Sequence, residues 1–151
     1  MNLKGQNILV TGASRGIGKS IAIHLLEANA RVGVHYNSSR TEADNVKLKY
    51  SKAETFQANL SKSDEVELLF KRAIEQSGKL DTIVLNAGIF VPRSTEGTTE
   101  DWLDNWRLTM AINLESAGLL TKLGIEYFKK QGGGRFIYIG SRAAFRGETE
   151  E

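Results

Sequence analysis

The sequence predicts an α/β protein built on a doubly wound parallel sheet, and three observations support that prediction. The apolar run Ile8, Leu9 and Val10 breaks at once into Gly12, Gly16 and Gly18 and then into helical spacing, reading as strand, phosphate-binding turn and helix. Strand-like and helix-like segments then alternate along the chain, the pattern of a parallel sheet with helices on both faces. Finally, Asn29, Gly78 and Gly132 stand where helical spacing stops, each able to take the left-handed conformation that closes a helix.

At 151 residues the chain is about one domain, and its 40% hydrophobic and 25% charged residues exclude a disordered one. No apolar run approaches the ~20 residues of a membrane span, and Met1-Asn2-Leu3-Lys4-Gly5 is not followed by a signal-peptide core. Without cysteine there is neither a disulfide framework nor a thiolate nucleophile, which fits a cytoplasmic protein. The net charge of +2, with both signs interspersed, gives nucleic acid no electrostatic footprint. His24 and His35 lie far apart without a Cys or acidic partner at ligand spacing, so both read as structural and no metal is expected.

In chain order, Ile17, Ile21, Leu25 and Ala28 predict a first helix with one buried face, ended by Asn29. Arg31 to Tyr36 alternates as a second strand and completes a βαβ unit. Asn37-Ser38-Ser39-Arg40 is a polar loop, Thr41 to Tyr50 a short helix and Ala53 to Ala58 a third strand. Ser61-Lys62-Ser63-Asp64 has capping-box spacing and opens a stronger helix burying Val66, Leu69, Phe70, Ala73 and Ile74, which Gly78 closes. Leu80 to Leu85 is a fourth strand, ending in Asn86-Ala87-Gly88, and Pro92 falls in a loop. Thr98 to Glu100 starts a long helix expected to bury one broad face through Trp102, Trp106, Met110, Leu114, Ala117, Leu120, Ile125 and Phe128. Lys129-Lys130 and Gly132-Gly133-Gly134 end it, and Arg135 to Gly140 is a fifth strand followed by Ser141.

The three glycines of the first turn have separate uses: a tight turn, close approach of a pyrophosphate to the backbone, and close packing of helix on strand. Their spacing is G-x-x-x-G-x-G, and Thr11-Gly12-Ala13-Ser14-Arg15-Gly16-Ile17-Gly18 closely resembles the cofactor loop of the short-chain dehydrogenases/reductases, Rossmann-fold NAD(P)-dependent oxidoreductases. The resemblance is general to 3-oxoacyl-carrier-protein reductases and related ketoreductases. It implies strand order 3-2-1-4-5, with a crevice where the order reverses, and it places Gly12, Asn86 and Ser141 on one rim.

It also implies roles residue by residue. Gly12, Ser14, Arg15, Gly16, Ile17 and Gly18 would hold the pyrophosphate and its neighbourhood. The second strand ends in Tyr36-Asn37, where an NAD-preferring enzyme would place an acid on the ribose hydroxyls. With no carboxylate there and Arg15 nearby, NADP(H) is expected over NAD(H); the alternative is that Arg15 only solvates the loop edge. Asn59-Leu60 stands where the family often has Asp and an apolar residue beside adenine, or simply ends the third strand. Asn86-Ala87-Gly88 matches a stretch where small residues admit the cofactor, or makes a plain turn. Asn113, an amide in the apolar stretch MAINLESAG, would hold a water of the family's proton relay or be a satisfied structural residue. Ser141 would orient a substrate carbonyl, or serve as a turn residue.

The departure is the family's Tyr-x-x-x-Lys pair, expected about a dozen residues past the serine, whose Tyr is the general acid or base. The sequence ends at Glu151 before it, and neither Tyr127 nor Tyr138 has a Lys four residues on. Residues 1–151 are therefore expected to be the cofactor-binding part of a longer enzyme, inactive alone, with an exposed fifth strand and an uncovered long helix. The family implies a small carbonyl or alcohol substrate and a homodimer or homotetramer at full length, while charge and hydropathy lead to the expectation of no nucleic-acid or membrane partner. The alternative from another class is a non-catalytic dinucleotide-binding sensor or interaction module.

Overall fold

The computed structural model describes residues 2–91 and 97–145, so the loop position of Pro92 lies outside the described residues. Five parallel strands, β1 (Asn7–Val10), β2 (Arg31–Tyr36), β3 (Ala53–Gln57), β4 (Thr82–Leu85) and β5 (Arg135–Tyr138), pair in the order β3-β2-β1-β4-β5. Between them lie α1 (Gly16–Glu27), α2 (Arg40–Lys49), α3 (Ser63–Ser77), α4 (Thr99–Met110) and α5 (Ser116–Gln131), with a π turn, Ala111–Glu115, joining the last two. The arrangement is the Rossmann-like sheet the sequence predicts.

Alternation along the strands sends side chains to two apolar layers. Ile8, Val10, Val32 and Val34 meet Ala22 and Leu26 of α1 and Ala43 and Val46 of α2. Leu9, Ile83 and Leu85 meet Val66, Leu69, Phe70 and Ala73 of α3 and Leu120 and Phe128 of α5. Helices thus cover both faces, and strand order reverses between β1 and β4. Asn29 takes φ 74° and Gly78 φ 77°, closing α1 and α3 as their sequences require, and Gly132 does the same for α5 at φ 90°.

Three expectations are corrected. The inner stripe of α1 is Gly18, Ala22 and Leu26, one residue off the larger apolar row; Ile21 and Leu25 only flank the core and Ile17 is 66% exposed. At Gly18 the smallest residue is required because a Cβ there would run into Gly12 O and Asn86 Nδ2, in the turns after β1 and β4. The capping box does not form, since Lys62 is the N-cap with no side-chain bond and the Ser61 hydroxyl donates instead to Asn59 Oδ1 at 2.8 Å. Glu65 reaches back to the Asn59 N–H at 2.6 Å, a nearer acceptor for that loop. Lastly, the long helix buries no broad face. Only the row Ser116, Leu120, Gly124 and Phe128 is fully buried, while Trp102, Trp106, Leu114 and Ile125 are exposed and no residue of α4 is buried. Two small residues in that row let α5 approach the sheet along a stripe one side chain wide.

Candidate functional site

A cavity of about 490 Å³ opens at the carboxyl ends of β1, β2 and β4, where the strand order reverses. Gly12, Ser14, Arg15, Gly16, Ile17 and Gly18 form one wall. Asn37 follows β2, Asn59 and Leu60 follow β3, and Asn86, Ala87 and Gly88 follow β4 to complete it. Every cofactor-contact position expected from the sequence therefore lines the same cavity, together with His35, Tyr36, Ser38, Ser39, Ile89 and Ile112.

The wall is sewn together by Thr11 and Asn86. The Thr11 hydroxyl donates to Val84 O at 3.2 Å and accepts the N–H groups of Asn86 and Ala87 at 2.9 and 3.0 Å. The Asn86 amide donates to Thr11 O at 2.9 Å and Gly12 O at 3.2 Å. The loops after β1 and β4 thereby become one rigid unit. A Cβ on Gly18 would stand 2.3 Å from Gly12 O and 2.4 Å from Asn86 Nδ2, so this glycine is what lets α1 dock. Gly16 is different: it has φ 55° and open space where a Cβ would be, leaving its backbone bare to the cavity.

At the start of α1, Arg15 is an extended N-cap without a side-chain cap bond, and the first turn holds no acid. Its N–H groups and the positive end of the helix dipole are thus left to an anion from outside. Among the described residues lining the cavity, Arg15 is the one that carries a full charge, and none is a carboxylate. His35, 2% exposed, accepts the Gly12 N–H on Nδ1 at 2.9 Å and has Nε2 3.0 Å from Ala58 O. Burial holds its pKa below the usual 6.5, against a smaller raising effect of the Ala58 bond.

Around Asn59, the side-chain oxygen accepts from Ser61 N at 3.0 Å, which fixes the loop after β3. Glu65 is held below the ordinary carboxylate range, first by the Asn59 N–H and then by Lys62, whose own pKa is raised chiefly by its hydrogen bond to Glu65.

Asn113 and Ser141 lie outside the cavity lining. Asn113 sits in the π turn, and its amide pairs with Ile89 in both directions, accepting from N and donating to O at 2.8 Å each. It pins the segment after β4 to the helix, and the π turn is the local irregularity that aims it there. Ser141 follows β5 at the same end of the sheet, exposed, with its hydroxyl accepting the Ala143 N–H at 3.2 Å. The other tyrosine hydroxyls near this half are engaged elsewhere: Tyr138 with Thr121 at 2.6 Å and Tyr127 with the Leu80 N–H at 3.2 Å.

Sequence reasoning passed over Thr11 and His35 as site residues. A hydroxyl closing an apolar strand, and a polar residue at an inward position near the end of β2, were the available signals. Among the described residues no group of three His, Cys, Asp or Glu could hold a metal, and no helix is long and apolar enough to cross a membrane.

The geometry fits a dinucleotide: bare glycine backbone at a helix start, a cation, and a slot running past the ends of three strands. Comparison with known proteins agrees with that fit. Residues 6–150 match the sequence model of the short chain dehydrogenases. A 3-oxoacyl-[acyl-carrier-protein] reductase from Synechocystis is 37% identical over 96% of this chain. A short chain dehydrogenase from Burkholderia cenocepacia, solved in complex with NADP, superposes over 99% of this chain with TM-score 0.89 and 30% identity. A 7α-hydroxysteroid dehydrogenase solved with NADH and 7-oxo glycochenodeoxycholic acid does so with TM-score 0.89 and 29% identity. This chain spans 59% of that reductase and 61% and 58% of the two solved chains.

Proposed function

The chain belongs to the short chain dehydrogenase family, and from that premise we propose that residues 1–151 are the dinucleotide-binding part of an NADP(H)-dependent oxidoreductase acting on a small carbonyl or alcohol. The observation behind the cofactor preference is the cavity wall itself, with Arg15 as the sole charge among its described residues and Asn37, Ser38 and Ser39 where an acid would repel a 2′-phosphate. Gly12, Gly16 and Gly18 with the first turn of α1 would hold the pyrophosphate, and Asn59-Leu60 would flank the adenine. Asn86, Ala87 and Gly88 would line the path toward the nicotinamide. When bound, the cofactor supplies the hydride donor or acceptor. Asn113 would keep the segment after β4 in place, and Ser141 would meet the substrate oxygen. Tyr138 and Tyr127 are not assigned as the proton donor, since their hydroxyls bond Thr121 and the Leu80 N–H, and residues 1–151 alone are expected to be inactive. At full length, an oligomer formed through the apolar side of α4 and α5 is supported by the exposure of Trp102, Trp106, Leu114 and Ile125.

Titration calorimetry with NADP⁺ and NAD⁺ tests this reading. NADP⁺ should bind about tenfold or more tightly than NAD⁺, and Arg15→Ala should remove most of the difference, a charged hydrogen bond contributing roughly 1.5–3 kcal/mol. Equal affinities in the unmodified chain would end the NADP preference, and no binding of either at millimolar concentration would end the dinucleotide reading.

A further inference from the structure

We propose that His35 is a positioning residue for the cofactor turn: its neutral imidazole holds the Gly12 N–H in the protein scaffold, and so sets how the bare backbone that follows faces the dinucleotide. This rests on reading the cavity as a dinucleotide site. The side chain lies within β2, yet it ties two loops that form separate parts of the cavity wall. Its Nδ1 is 2.9 Å from Gly12 N, its Nε2 is 3.0 Å from Ala58 O, and its own carbonyl accepts the Ala13 N–H at 2.8 Å. The backbone therefore dictates the tautomer. An N–H pointing at Nδ1 requires a lone pair there, so the ring hydrogen sits on Nε2 and donates to Ala58 O. Gly12 has φ 63°, and its N–H, at the mouth of a left-handed turn, has no strand partner to hold it.

Histidine suits the position because it presents an acceptor and a donor on opposite sides of one rigid ring. Either amide residue supplies only half. Asn at position 35 places an oxygen near where Nδ1 stands, and Gln places an amide near Nε2. The bond to Gly12 is the one that reaches the cofactor turn, so the two replacements should differ.

Two measurements decide it. In uniformly ¹⁵N-labelled wild-type protein, a through-hydrogen-bond coupling should connect the Gly12 amide nitrogen with His35 Nδ1; its absence from a folded sample overturns the proposal without any variant. Calorimetry with NADP⁺ should then find His35→Asn within about threefold of wild type and His35→Gln weakened about tenfold or more, the effect of orphaning one part-buried donor, with both variants still melting cooperatively. Equal affinities for the two variants, or the reverse order, overturn it. If wild type binds no NADP⁺ or NAD⁺, the dinucleotide reading fails on its own, and the coupling still decides whether His35 holds the turn.

Discussion

The two halves of the sheet are built to different standards. Every residue of β1 and β4 is buried, and the helices on that side send full apolar faces into the core, four buried residues from α3 alone. β5, at the edge, has no fully buried residue, α4 has none, and α5 contacts the core along one narrow row. The cavity belongs to the first half: its walls are loops leaving β1, β2, β3 and β4, each anchored in packed strand. Asn113 and Ser141 belong to the second. The cavity is thus walled by structure packed within this chain, while Asn113 and Ser141 sit on structure whose apolar surface stays exposed.

Matched glycine substitutions test that contrast most sharply. Gly18→Ala forces a methyl against backbone, Gly12 O at 2.3 Å, in the packed half. Gly124→Ala forces one against the tip of the Phe136 ring, at 2.6 Å, in the open half. Backbone pinned by Thr11 and Asn86 cannot yield, whereas a partly buried ring on the edge strand can, and alanine also gains about 1 kcal/mol of helix propensity over glycine. Denaturant unfolding should show Gly18→Ala losing about 3 kcal/mol, together with NADP⁺ binding, and Gly124→Ala staying within about 1 kcal/mol of wild type. Equal losses would mean that the second half is as rigid as the first.

A smaller effect should appear with pH. His35 resists charging in the folded state, because burial lowers its pKa below the 6.5 it has when unfolded. Below pH 6.5 the unfolded chain therefore binds more protons than the folded one, and stability rises with pH through that window. The stabilisation is complete above 6.5 and is lost as pH falls toward the folded pKa, at up to about 1.4 kcal/mol per pH unit. The two loops that this ring ties carry Arg15, in the turn after β1, and Glu65, which accepts the Asn59 N–H and pairs with Lys62; β1 contributes no charge. Melting between about pH 7.5 and pH 5.5 should lower the wild-type Tm more than that of His35→Gln, which has nothing to titrate at that position. Identical shifts would assign the acid sensitivity to another group.

The same contrast governs what the sequence could reveal. The alternation of strands and helices and both helix-closing glycines were legible because glycine runs, strand ends and apolar period each have a local physical cause, whereas strand order and the cofactor positions were legible only through the resemblance carried by Thr11 to Gly18. The inner stripe of α1 was not: Ile17 and Gly18 are adjacent, and only the closeness of Gly12 O and Asn86, a tertiary fact, selects the smaller one. Nor was the π turn, since MAINLESAG carries no local mark of an extra residue in a helix. His35 looked isolated because its partners are backbone atoms, Gly12 N and Ala58 O, which a search for side-chain partners passes over. The long helix misled for the opposite reason. Its apolar row is real, but a row shows only that something could cover it.

That row gives the smallest and most instructive change. Trp102 and Trp106 stack on each other, ring centroids 5.4 Å apart and planes 15° from parallel, and Trp106 is 51% exposed. An isolated surface pair of this kind is worth about 0.5–1.5 kcal/mol, part of which glutamine's better helix propensity returns. Trp106→Gln should therefore lower stability by no more than about 1 kcal/mol, with a Tm independent of protein concentration. A larger loss, accompanied by a wild-type Tm that climbs with concentration, would show that the tryptophans are covered by a second copy in solution. The open half would then be an interface rather than a loosely packed edge, and its exposed apolar residues would owe their place in the sequence to association instead of to this chain's own core.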